Sequence, residues 1–119
     1  MENRIPKLQS TVYKFPLADG STADMTLSFY GLYKLRAFNK NLYERYNKLM
    51  IGSAKGNFDE LDSIAILYVA YVCANMDKGD LMSEEDFIIL CGSDRGALGN
   101  AFESLISPKK EQASDNLSK

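Results

Sequence analysis

The chain contains no histidine and only two cysteines. Without histidine no side chain has an ordinary pKa near neutrality, so Ser–His–Asp and Cys–His nucleophilic sets are excluded and the commonest metal ligand is missing. Cys73 and Cys91 lie in apolar surroundings and outside any CxxC spacing; this predicts free buried thiols in a reducing compartment rather than a disulfide. Nor does any apolar run approach the roughly 20 residues that cross a bilayer. The first ten residues, MENRIPKLQS, lack an apolar core segment, which predicts no signal peptide. Gly92, Gly96 and Gly99 are scattered and follow no strand, so they form no phosphate loop.

What is present centres on residues 58–77, FDELDSIAILYVAYVCANMD. Asp59, Glu60 and Asp62 open this stretch, and Ile64–Ala74 then carries no charge. As a helix those eleven residues reach about 16 Å. A helix apolar on every side needs cover on every side, which predicts a central post with Ile66, Val69 and Cys73 nearly inaccessible. A length of 119 residues, 45% apolar and 25% charged, suits one soluble globular domain.

Around the post the sequence predicts a mainly α fold with a small β-hairpin (α+β), about four helices packed on the central one. Residues 7–15 and 23–29 read as strands of an N-terminal two-stranded hairpin spanning 7–29, from Thr11, Val12, Tyr13 and Phe15 and the alternation of Met25, Leu27 and Phe29. The Asp19–Gly20 pair marks the turn. Because an isolated hairpin is marginal, it must lie on the helices or pair with another copy. Residues 30–50 read as one amphipathic helix, with Leu32, Leu35, Phe38, Leu42, Tyr46 and Leu49 on a stripe and a basic opposite face. Asn57 or Asp59 caps the central helix over 58–77, and two short helices occupy 84–106, with Ser83 and then Ser93 or Asp94 as caps and Gly92 as the stop. The single domain is expected to run over 1–108, leaving 109–119 as a disordered tail.

Charge divides unevenly. Residues 1–57 carry nine basic and four acidic side chains, a balance of +5, whereas 58–119 carry five and twelve, a balance of −7. Either the two halves pair within one domain, or the basic half of one copy meets the acidic half of the next in head-to-tail self-association.

Other constellations fail on chemistry. The acids Asp77, Asp80, Glu84, Glu85 and Asp86 do not make a calcium loop: counted from Asn75, the sixth position holds Asp80 where glycine is required. The stretch 84–106 has the outline of a helix-turn-helix, but five acids against Arg95 give it a balance of −4, the wrong sign for phosphate. No nucleic acid, membrane, small-molecule substrate, metal or cofactor is therefore expected, and no enzyme. Tyr30, Tyr33, Tyr43, Tyr46, Tyr68 and Tyr71 suit core and rim positions or a binding surface.

The pattern as a whole, FDELDSIAILYVAYVCANMDKG followed by MSEEDFIILCGSDRGALGNAFESLISPKK, resembles the small tail assembly chaperones of long-tailed phages and prophages of Gram-positive bacteria. The resemblance covers roughly 24–110, most clearly Asp59 to Lys110. It implies a non-enzymatic protein of the bacterial cytoplasm that binds and solubilises the tape measure protein, a long amphipathic helical partner whose apolar stripes need sheathing. Such a partner would lie in an apolar groove beside the final helices, with Phe87, Leu90, Leu98, Phe102 and Leu105 as lining and the tyrosines as rim. Another small phage structural or connector protein, lending its hairpin to a neighbour, and an acidic regulatory module for a host protein are the alternatives.

Overall fold

A computed structural model describes residues 12–106. The fold is mostly helical with an N-terminal antiparallel hairpin: β1 (Tyr13–Pro16), β2 (Thr22–Met25), α1 (Phe29–Phe38), α2 (Lys40–Ala54), α3 (Glu60–Asn75), a single 3-10 turn at Met76–Lys78, α4 (Glu84–Cys91) and α5 (Arg95–Ile106). The expected hairpin residues 7–11, the domain ends at 1 and 108 and the expected tail at 109–119 lie outside the described residues.

Helix α3 is the post. It begins with a reciprocal capping box, in which the Asp59 carboxylate accepts from the Asp62 N–H at 2.9 Å and the Asp62 carboxylate from the Asp59 N–H at 3.1 Å. From Ala65 to Cys73 every residue except Tyr68 is buried, and β2, α1, α2, α4 and α5 all pack on it. Ile66, Val69 and Cys73 are sealed as the composition requires. Gly31 lets α1 approach closely: a Cβ there would stand 3.3 Å from the Cys73 Cβ.

The hairpin lies on the helices. Phe15, Ala23 and Met25 point into the core, while Lys14 and Asp24, paired across the strands, form an outward ion pair of 2.7 Å. Gly20 turns the chain at φ +91°, a conformation that costs glycine little. Backbone bonds fasten the hairpin to the helices. Thr26 N–H donates to the Ala70 carbonyl at 3.1 Å, and Ala18 N–H donates to the Leu90 carbonyl at 2.7 Å.

Several boundaries differ from expectation: the first strand runs over Tyr13–Pro16 rather than 7–15, and the central helix over Glu60–Asn75 rather than 58–77, its last turn being the 3-10 turn. The predicted helix over 30–50 is two helices separated at Asn39, whose φ of −151° is not helical. Its N–H closes α1 on the Leu35 carbonyl at 2.7 Å, and its side-chain oxygen caps α2 by accepting from Leu42 N–H at 3.1 Å. Leu35 and Leu42 both remain buried across the break, so the apolar spacing carries no trace of it. The second strand ends at Met25 and Phe29 starts α1, because the Ser28 hydroxyl accepts from Gly31 N–H at 3.0 Å and caps the helix there.

An aromatic triangle fixes α4. The Phe87 ring sits 5.5 Å from Tyr68 and 5.4 Å from Tyr71, whose rings are 5.9 Å apart. The two hydroxyls clamp the preceding loop at one residue: Tyr68 donates to the Met82 carbonyl at 2.8 Å, and Tyr71 accepts from the Met82 N–H at 2.9 Å.

Leu67→Asp places an unpaired charge at a fully buried site of α3, a cost of several kcal/mol, so the variant should show no cooperative thermal transition; a transition near the wild-type temperature would take α3 out of the core. Tyr71→Phe removes the partner of the Met82 N–H, and urea denaturation should show a loss of about 1–3 kcal/mol. An unchanged midpoint would show that the clamp contributes nothing.

Candidate functional site

Among the described residues, two groups of apolar side chains stand outside the packing on α3. The first is the outer side of α1. Gly31 and Leu35 face inward, which turns Phe29, Tyr30 and Tyr33 outward, at positions i, i+1 and i+4. Phe29 is 91% exposed, and the Tyr30 and Tyr33 rings stack with centroids 6.1 Å apart. Lys34 lies 4.9 Å from the Tyr30 ring centre and pairs with Asp77, and that contact holds the Lys34 ammonium above its usual pKa. Phe38 is also exposed, and an open groove of about 570 Å³ runs between Tyr33, Arg36, Ala37 and Phe38 on one side and Met76 and Asp77 on the other.

The second surface is a cleft of about 190 Å³ among α3, α4 and α5, with Phe15, Leu61, Ile64, Ile88, Cys91 and Leu98 in its lining. Leu61 is 67% exposed at its mouth. Arg95 closes one end by gripping Glu60 in two places, Nε–Oε2 at 2.6 Å and Nη2–Oε1 at 3.0 Å. Asp94 caps α5, accepting from Ala97 N–H at 3.0 Å, and Leu98 of that helix lines the cleft.

The five predicted lining residues do not form one groove. Phe87 is wholly buried in the aromatic triangle, so it is core and not surface. Leu90 is half-buried beneath the hairpin turn, Phe102 packs on Phe58 with centroids 5.6 Å apart, and Leu105 is half-buried against the core. Leu98 alone of the five reaches the cleft. The reason is helix phase: in the run Phe87–Ile88–Ile89–Leu90 one helix cannot turn four consecutive residues inward, and Phe87 takes the inner position. Ile88 and Ile89, which the expectation passed over, are the exposed pair. Tyr30 and Tyr33 of the outer α1 cluster are among the tyrosines expected at rim or binding positions, whereas Phe29 is expected in a strand; the Ser28 cap three residues before Gly31 is the signal that places it on the helix.

Ion pairs cross between the basic and acidic halves inside the molecule. Arg45 of α2 meets Glu84 of α4 in a fork, 2.7 and 2.9 Å, and Lys34 meets Asp77. These contacts favour mutual pairing within one domain for those charges. Exposed pairs of this kind are worth roughly 0.2–1 kcal/mol, so they add little to stability.

Neither cysteine has the character of a nucleophile: both are free, and burial pushes Cys73 up to about 12 and Cys91 up to about 11. Among the described residues no group of three or more acidic or thiol side chains is placed to hold a metal ion, and no helix is long and apolar enough to cross a membrane. Comparison with protein-family models, with curated proteins and with solved structures finds no match to this chain.

The thiols carry a pH prediction. Unfolding releases them to an ordinary pKa of 9.0, so the unfolded chain ionises first and stability falls as pH rises from that value through the folded pKa of each thiol. Thermal midpoints measured between about pH 8 and pH 11 should decline, and Cys73→Ala should flatten the decline; an unchanged slope in that variant would mean that Cys73 ionises freely in the folded state.

Proposed function

We propose that the protein is a phage tail assembly chaperone, a non-enzymatic protein that binds the tape measure protein in the bacterial cytoplasm and keeps it soluble until the tail tube surrounds it. The pattern of residues Asp59 to Lys110 supports this reading, and so does a helical fold with unpartnered apolar surface. The observation that carries it is the cleft among α3, α4 and α5, where Leu61, Ile64, Ile88 and Leu98 come from three helices to one concave strip beside the final helices. A long amphipathic helix presents apolar anchors three and four residues apart, and a strip of this kind accepts them one after another. The connector reading, in which the hairpin joins a neighbour, is disfavoured by the backbone bonds from Thr26 to Ala70 and from Ala18 to Leu90.

The test is co-expression with the tape measure protein that this reading pairs with the chain. That protein should be soluble only when this chain is present, and Leu61→Asp, at an exposed position of the cleft mouth, should abolish the effect without lowering the chaperone's own thermal midpoint. Because the contact is apolar, capture should change little between about 0.05 and 0.5 M salt. Equal solubility of the tape measure protein with and without this chain would refute the proposal.

A further inference from the structure

We infer that the cleft among α3, α4 and α5 selects cationic helices, ones that carry lysine or arginine beside their apolar anchors; this rests on the helix-binding role proposed for the cleft above and adds the charge of what it takes. Three apolar wall residues, one on each helix, have an acid one helical turn before them. Glu60 precedes Ile64, Glu84 precedes Ile88 and Asp94 precedes Leu98, each at the i, i+4 spacing that puts two side chains on one face. Glu60 and Asp94 are themselves in the lining, and Glu85 is exposed three residues before Ile88.

The surplus of acid is large. With their capping residues the three helices cover 59–75, 83–91 and 94–106, and they carry eight acidic side chains against one basic, Arg95, a balance of −7. Arg95 is held by Glu60, and Arg45 of α2 by Glu84, whereas Glu85 and Asp94 meet no basic side chain among the described residues. Helix dipoles favour acids in a first turn, but three N-termini supply only about +0.5 charge each. That accounts for where the acids stand and offsets a minor part of their charge. Side chains one turn apart are about 5–6 Å from each other, inside the Debye length of about 8 Å at physiological ionic strength, so a helix docked on the strip feels these acids. An anionic flank is repelled there and a cationic one is drawn in. Opposite charge around an apolar strip raises the encounter rate and rejects wrong partners more than it adds affinity. The apolar anchors still hold the helix, so a tightly held partner stays captured in salt.

Two synthetic peptides of about 20 residues, long enough to hold a helix, test this by stopped-flow binding to the full chain. They share leucine anchors three and four residues apart and differ only in their flanks, lysine in one and glutamate in the other. In about 0.05 M salt the lysine peptide should associate about tenfold faster, with dissociation rates alike, and the gap should close in about 0.5 M salt. Glu85→Lys, at an exposed position, should narrow the gap without moving the thermal midpoint. Leu61→Asp keeps every acid but spoils the apolar strip, so it should bind neither peptide; Ile88→Asn replaces it if its thermal transition is lost. Equal association rates, a faster glutamate peptide, a lysine peptide that still binds Leu61→Asp, or no binding of either peptide would overturn the inference. A tape measure protein kept soluble alongside equal peptide rates removes the charge selectivity alone. A lysine peptide bound in the cleft, with no effect of the chain on the tape measure protein, removes only the function proposed above.

Discussion

The structure depends on the solvation problem posed by α3. Its buried stretch, from Ala65 to Cys73, exposes no side on which water is welcome, and a folded chain of this size has little material to spare for cover. Every other helix and the second strand are drawn onto it. The hairpin is not an accessory but one wall of that cover, which is why its backbone bonds run to helical carbonyls at Ala70 and Leu90. Gly31 matters for the same reason: removing one Cβ brings α1 close enough to seal the post beside Cys73.

Covering α3 also determines what the surface is made of. A helix that turns Leu35 inward must turn Tyr33 outward, and a helix that inserts Phe87 between Tyr68 and Tyr71 must present Ile88 and Ile89. The apolar surfaces left exposed are thus the complements of the faces used in folding. The Met82 clamp ties the two together, because the tyrosines that hold Phe87 also hold the loop that aims α4.

Charge acts in two registers. Some of the imbalance between the halves is discharged internally, by Arg45 on Glu84 and Lys34 on Asp77. The rest stays on the surface, acidic on α4 and basic at the α1–α2 junction, where exposed charge guides orientation and encounter more than it adds affinity. An apolar cleft and exposed charge of both signs are the physical ground on which the proposed role stands.

Much of this was legible in the sequence. The charge-free run identified the post, its buried positions and the need for cover on all sides; the acids before it and Ser83 marked helix starts; the Asp19–Gly20 pair marked the turn; and the absent histidine removed whole classes of chemistry. These are local or compositional properties, fixed by backbone geometry and solvation within a few residues. Other features were not legible. The break at Asn39 preserves the apolar spacing, since Leu35 and Leu42 are both buried on either side of it. Which of Phe87, Leu90, Leu98, Phe102 and Leu105 would be core, and which would reach the surface, depends on the rotation of α4 and α5. That rotation is set by contacts distant in the chain, Tyr68 and Tyr71 on Met82 and Glu60 on Arg95. Amino-acid type and periodicity determine that a side chain is apolar and lies on a helix. Only tertiary packing decides whether its neighbour is the core or a partner, because that choice rests on contacts between residues far apart in sequence.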